Sequence, residues 1–206
     1  MGARAVACYR PRVFFRKAAI RPIPRYAVVD RRVVDEVERM LEGESVSLQN
    51  KLDRLFAQLG QKQPAIYSFV SDELGEIPNE LAQSLGYFLV AAVHLIFSEA
   101  FPNRLEEVDE AALALALATL SADEELRALD PLEKLDSDDL IAMNQPAVVE
   151  FVQHHVREAY DQADEDAPPI EQLDRVYRAI LVQIIALSHA VLSPSGVSGP
   201  PSESLH

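Results

Sequence analysis

Residues 63–70 read QPAIYSFV and residues 145–152 read QPAVVEFV, so five of the eight aligned positions are identical. In both stretches a proline opens a run whose apolar residues recur at steps of three and four. Proline is accepted in the first turn of a helix and resisted inside it. This apolar spacing is typical of an amphipathic helix. Each stretch therefore predicts a helix that begins at its proline.

The similarity continues on both sides of these stretches. Upstream, KLD occurs at residues 51–53 and again at residues 134–136. Downstream, residues 87–101 align with residues 177–191. Similarity that keeps the same order along the chain indicates a duplicated unit. We therefore expect two pseudo-symmetric three-helix repeats, whose long apolar helices pack against each other about a two-fold axis.

The segment between the repeats also predicts helix. Residues 112–121 read ALALALATLS, which alternates as a strand would, but alanine and leucine are good helix formers and no β-branched residue interrupts the alternation before its end. Ser121 and Glu124 have the spacing of a capping box, which predicts a second helix start there. The predicted fold is all-α, a bundle of about six to eight helices. In chain order we expect a basic, disordered extension (1–29), one all-helical domain (30–192) and a disordered tail (193–206). Within the domain we expect repeat one (about 45–101), connecting helices (102–130) and repeat two (about 131–192).

Charge is distributed unevenly along the chain. The net charge is −14, yet residues 1–39 hold 10 of the 19 Lys and Arg and only 4 of the 33 Asp and Glu. Residues 1–39 therefore carry +6 and residues 40–206 carry −20. An acidic body repels nucleic acid and attracts a basic partner. We therefore expect no contact with nucleic acid outside residues 1–39.

The basic extension has three interpretations. Residues 1–29 contain no acid, as in a transit peptide, but no Ser or Thr precedes Ser45, and such peptides are rich in serine. A phosphate-binding arm would use the same charges on nucleic acid. The third interpretation, which we favour, is a disordered extension or translated sequence upstream of a start at Met40.

Several classes of protein are excluded by missing residues. No glycine lies between Gly86 and Gly196, which argues against a Rossmann fingerprint or a phosphate-binding loop. Cys8 is the single cysteine, so no intramolecular disulfide forms, and a reducing cytoplasm is the expected compartment. The segment Leu85–Phe101 is the most apolar, but His94 interrupts it, so we expect a core helix and no transmembrane segment. No catalytic residue and no cofactor is predicted.

Histidines supply the remaining candidates. Glu150, His154 and Glu158 share one helix face, which predicts half of a divalent metal site, although an exposed polar face gives the same pattern. His155 falls on the opposite, apolar face and is expected to pack there with a hydrogen bond.

The long helices carry a second set of candidates. His94 lies within the first long helix, and Glu99 aligns with His189 across the repeat. If the pseudo-two-fold axis passes near these helix ends, His94, Glu99 and His189 line a cleft between the repeats.

These observations favour a soluble, non-enzymatic helical protein that acts through contacts with other proteins or with a second copy of itself. Two alternatives stay open: a ligand-binding protein or enzyme that uses the cleft between the repeats, and nucleic-acid contact through the basic arm. A closed apolar core between the long helices favours a protein that acts through protein contacts. A pocket with converging His and Glu favours a ligand-binding protein or enzyme.

Overall fold

A computed structural model describes residues 20–42, 45–129, 137–162 and 167–194. Within these ranges the chain is all-helical, apart from a 3₁₀ turn at Arg25–Ala27 and a single antiparallel bridge between Leu105 and Val191. The predicted all-α bundle is therefore confirmed. The eight helices are α1 (Arg31–Leu41), α2 (Ser45–Lys62), α3 (Pro64–Gly75), α4 (Glu80–Ala100), α5 (Glu110–Ala128), α6 (Ser137–Asn144), α7 (Pro146–Gln162) and α8 (Ile170–His189).

Helices α4 and α8 pack against each other at the centre of the bundle. Both are apolar on most of their circumference, and a helix of this kind is stable only when it is surrounded by other elements. Residues 89–94 of α4 and residues 179–188 of α8 are buried throughout. By length and composition α4 also meets the requirement for a membrane span, with 56% of its most apolar window buried inside the protein.

The remaining helices surround this pair. Helix α1 packs on α4 and α7, α5 packs on α8, and α3 contacts both α4 and α8. As predicted, α3 begins at Pro64 and α7 at Pro146. Helix α5 includes the alternating stretch 112–121, which confirms that it is helical.

The predicted helix start at Ser121 is wrong. Helix α5 continues without interruption through this residue, so residues 102–129 contain one helix rather than several. The Ser121 hydroxyl and the Glu124 carboxylate instead accept hydrogen bonds from Arg178 of α8, at 2.7 Å and 3.1 Å. A capping-box spacing can therefore serve a contact between helices when the chain is already helical.

Each Gln-Pro-Ala stretch places a buried glutamine against a distant backbone segment. The amide of Gln145 donates to the Ala27 carbonyl at 2.7 Å and accepts from the Val29 amide at 3.0 Å. The amide of Gln63 donates to the Glu106 carbonyl and accepts from the Val108 amide, both at 2.8 Å. In both cases the glutamine amide forms two hydrogen bonds to residues that are two positions apart in an extended segment. A neighbouring β-strand would form hydrogen bonds with the same spacing.

The segments that these glutamines hold lead directly into helices. Asp30 follows Val29 and caps α1, because its carboxylate accepts from the Arg32 amide at 2.9 Å. Asp109 follows Val108 and caps α5 by accepting from the Ala112 amide at 2.7 Å. Gln145 and Gln63 therefore fix where α1 and α5 begin.

Residues 20–29, which belong to the predicted extension, contribute side chains to the described core. Ile20, Ile23, Ala27 and Val29 are buried in the hydrophobic core. Residues 1–19 of the predicted extension and residues 195–206 of the predicted tail lie outside the described ranges, so the predicted division of the chain stays a prediction. A chain that started at Met40 would lack these core residues and nearly all of α1.

Candidate functional site

His94 is a buried residue of the central helix. Its side chain is 2% exposed, and its Nδ1 atom has no hydrogen-bond partner. Burial, with a smaller contribution from the charge of Lys62, lowers the pKa of His94 to about 4. The imidazole is therefore neutral at physiological pH and acts as a packed core residue.

His189 ends α8 and is held by the segment that precedes α1. Its ring N–H donates to the backbone carbonyl of Arg21, and because Nε2 is buried without a partner, the donor is Nδ1. Burial and the charge of Arg21 lower the pKa of His189, and the hydrogen bond opposes them. Nε2 of this neutral tautomer is a free hydrogen-bond acceptor.

A cavity of about 320 Å³ lies beside His189, and we call it the α5–α8 cavity. Of the three residues predicted to line one cleft, this cavity contains His189 but neither His94 nor Glu99, so a cleft shared by all three stays a prediction. Its walls are largely apolar and its rim is acidic. The lining residues used below are Arg21, Glu106, Glu107, Leu115, Ile185 and His189.

The predicted metal half-site lies on the exposed face of α7. The Glu150 carboxylate is engaged by the guanidinium of Arg31, with Nη2 at 3.1 Å from Oε1, and this contact lowers the pKa of Glu150. His154 Nε2 lies 3.8 Å from Glu158 Oε2. Across the residues that the structure describes, no three His, Cys, Asp or Glu side chains are grouped as metal ligands. Metal binding by Glu150, His154 and Glu158 therefore stays a prediction.

His155 is packed and hydrogen-bonded, as its position on the apolar face of α7 predicts. Its Nδ1 atom lies 2.9 Å from the Phe151 carbonyl oxygen. Its ring centroid lies 4.3 Å from that of Phe151 and 5.2 Å from that of Phe88. This histidine joins α7 to α4 and has a structural role.

An open apolar groove of about 490 Å³ runs between α7 and α8, and we call it the α7–α8 groove. Two of its apolar side chains are largely exposed, Ile170 at 59% and Tyr160 at 44%. A hydrogen bond of 3.0 Å from the Gln153 amide on α7 to the Tyr177 hydroxyl on α8 joins the two sides of the groove. The groove is lined by Gln153, Val156, Arg157, Tyr160, Ile170, Leu173, Asp174 and Tyr177.

Acidic residues are concentrated in the sequence that ends α7, joins it to α8 and begins α8, and one of them, Asp174, lines the groove. The sequence from Glu158 to Asp174 contains seven Asp and Glu and no Lys or Arg. Four of these acids belong to the described helices and are exposed at the protein surface. They are Glu158, Asp161, Glu171 and Asp174. The groove therefore combines an apolar floor with a negatively charged surround.

Sequence reasoning did not find this groove. Tyr160 and Ile170 lie at the end of one helix and the start of the next, where single apolar residues on a surface are common. The angle between α7 and α8 brings them together, and no local pattern encodes that angle. The one available signal was the acidic stretch beside two apolar helix ends.

Helix α4 contributes to neither of the cavities described above. No α4 residue lines the α5–α8 cavity or the α7–α8 groove. Comparison with protein-family models, with curated proteins and with solved structures gives no match to this chain.

Proposed function

We propose that this protein acts through contacts with another protein, as a non-enzymatic regulatory, adaptor or assembly component. The observation that carries the proposal is the α7–α8 groove, an open apolar surface in a protein whose central helix pair is closely packed. Grooves of this kind bind the apolar face of an amphipathic helix, with anchors at positions i, i+3, i+4 and i+7. Exposed apolar side chains that lie together, as Tyr160 and Ile170 do, mark such surfaces.

The partner helix is expected to be basic. The acids between Glu158 and Asp174 would repel an acidic helix and attract Lys and Arg on the polar face of a basic one. Arg157, the basic residue of the groove, lies on α7 one helical turn after Gln153. Complementary charge of this kind sets specificity and the association rate more than it sets affinity.

The proposal is tested with a synthetic peptide whose binding is followed by fluorescence anisotropy. The peptide is helical, carries leucines at i, i+3, i+4 and i+7, and has lysine and arginine at its other positions. The double variant Tyr160→Ser with Ile170→Gln should weaken binding at least about tenfold, because a fully buried apolar side chain contributes about 1.5–3 kcal/mol. Binding should also weaken with added salt, which screens exposed charges.

The matched control is Leu129→Gln, which removes an apolar side chain that is 78% exposed at the end of α5. This variant should bind the peptide as the unchanged protein does. A second peptide, with glutamate in place of lysine and arginine, should not bind. Equal binding of both peptides, or equal loss in the groove variant and the control, contradicts the proposal. If the unchanged protein self-associates and Tyr160→Ser with Ile170→Gln abolishes this, the partner is a second copy of the chain.

We further propose that the bundle consists of two pseudo-symmetric repeats, each with four helices, α1–α4 and α5–α8. The hydrogen bonds of the two glutamines support this proposal. Gln145, in the second unit, binds the segment that precedes α1, and Gln63, in the first unit, binds the segment that precedes α5. Such an exchange is what a two-fold axis between two units produces. The helices predicted as connectors would then include the first helix of the second unit.

A further inference from the structure

The α5–α8 cavity is open at the point where the described chain begins. Ile20 is buried in the core, and Arg21 lines the cavity and holds His189 through its carbonyl. Consecutive Cα atoms lie about 3.8 Å apart, so Ala19 is adjacent to this site. Phe15, five residues before Ile20, reaches at most about 17 Å from it. By chain length alone, the residues just before Ile20 are therefore within reach of the cavity.

The cavity offers a defined chemistry to whatever occupies it. Leu115, which is 62% exposed, and Ile185 form apolar walls. A cavity of about 150 Å³ is large enough for a benzene ring, so about 320 Å³ accommodates one aromatic side chain. Glu106 and Glu107 are exposed on the rim, and His189 Nε2 is an acceptor without a donor. The matching occupant has an apolar ring and positively charged hydrogen-bond donors.

The chain's own N-terminal segment has this composition. Residues 13–19 read VFFRKAA, in which two phenylalanines precede an arginine and a lysine. Residues 1–19 contain five Lys and Arg and no Asp or Glu. Because residues 13–19 are covalently joined to Ile20, their binding to this cavity is intramolecular and needs no second molecule.

We propose that residues 13–19 dock across the α5–α8 cavity. The Phe15 ring lies between Leu115 and Ile185, and Arg16 and Lys17 face the acidic rim. The basic extension is then an intramolecular ligand of the acidic body. Its charges are directed to Glu106 and Glu107 rather than to nucleic acid.

Hydrogen exchange measured by mass spectrometry on the full chain tests this docking. Amides of residues 13–19 should exchange at least about tenfold more slowly than in the variants Phe15→Ser and Leu115→Gln, because a docked segment exchanges only after it opens. Leu129→Gln, which changes an exposed leucine at the far end of α5, should keep the slow exchange. Equal exchange of residues 13–19 in all four proteins overturns the proposal.

A charge exchange tests the ionic part separately. Arg16→Glu with Lys17→Glu should abolish the slow exchange, and adding Glu106→Lys with Glu107→Lys should restore it. Restoration distinguishes pairing between these positions from a general effect of net charge. Failure of the second pair to restore protection contradicts the proposed orientation. Native mass spectrometry that finds a small amine bound to the unchanged protein, with residues 13–19 exchanging freely, overturns the proposal in favour of a small-molecule site.

Discussion

The two ends of α8 face different surroundings. Its C-terminal half, residues 179–188, is buried against α4 in the centre of the bundle. Its N-terminal half presents Ile170 to an open groove shared with α7. One helix therefore contributes both to the closed core and to the exposed apolar surface. The buried turns of α8 stabilise the fold, and the exposed turns are those for which we propose partner binding, so stability and binding can be changed independently.

The largest effect on stability is expected in the buried C-terminal half of α8. Ile184 is fully buried, and Ile184→Ala removes apolar contacts and leaves a cavity. Substitutions of this kind cost about 2–5 kcal/mol. The free energy of unfolding, measured by urea denaturation, should fall by that amount. A loss below about 1 kcal/mol would show that the α4–α8 contact is not the stabilising core.

The glutamine contacts should give the next effect. Gln145→Leu removes the partners of the Ala27 carbonyl and the Val29 amide, and a buried polar group without a partner costs about 1–3 kcal/mol. It also removes the hydrogen bond donated to the Ser188 hydroxyl, which keeps its own bond to the Ile184 carbonyl. We expect unfolding to become easier by about 2–4 kcal/mol. Gln63→Leu removes two hydrogen bonds instead of three and should cost less in the same urea titration. The reverse order would contradict the role given to Gln145.

Acid should destabilise the core between α4 and α8 through His94. Because the folded protein lowers this pKa from 6.5 to about 4, the unfolded chain binds the proton first as the pH falls. The stability is fully present above pH 6.5 and is lost between pH 6.5 and about 4, by about 3 kcal/mol at 1.36 kcal/mol per pKa unit. His94→Ile should lack this part of the pH dependence. Identical pH profiles for the two proteins would rule out His94 as the cause.

Substitutions in the N-terminal half of α8, which borders the α7–α8 groove, should have the smallest effect on stability. Ile170 is largely exposed, so Ile170→Gln should change the free energy of unfolding by less than about 0.5 kcal/mol. The same substitution should weaken peptide binding, because the side chain becomes buried only in the complex. A loss of stability comparable to that of Ile184→Ala would show that Ile170 belongs to the core instead.

The sequence predicts the helices better than the contacts between them. Pro64, Pro146 and the apolar run that forms α4 depend on local preferences, and the structure has helices there. Ser121 and Glu124 show the limit of such patterns, since their side chains bind Arg178 on another helix instead of starting a new one.

Contacts between distant residues explain what the sequence did not reveal. The packing of residues 20–29 depends on Gln145, more than a hundred residues away along the chain. The α7–α8 groove likewise depends on the angle between two helices. Both features arise from tertiary packing, which no local spacing records.

We propose that the α7–α8 groove is the surface through which this protein binds its partner. Hydrogen exchange of the full chain with and without the basic amphipathic peptide tests it directly. We predict slower exchange in residues 153–161 and 170–177 on binding, with no change in α6. Protection confined to other helices, or no change anywhere at saturating peptide, would contradict the account.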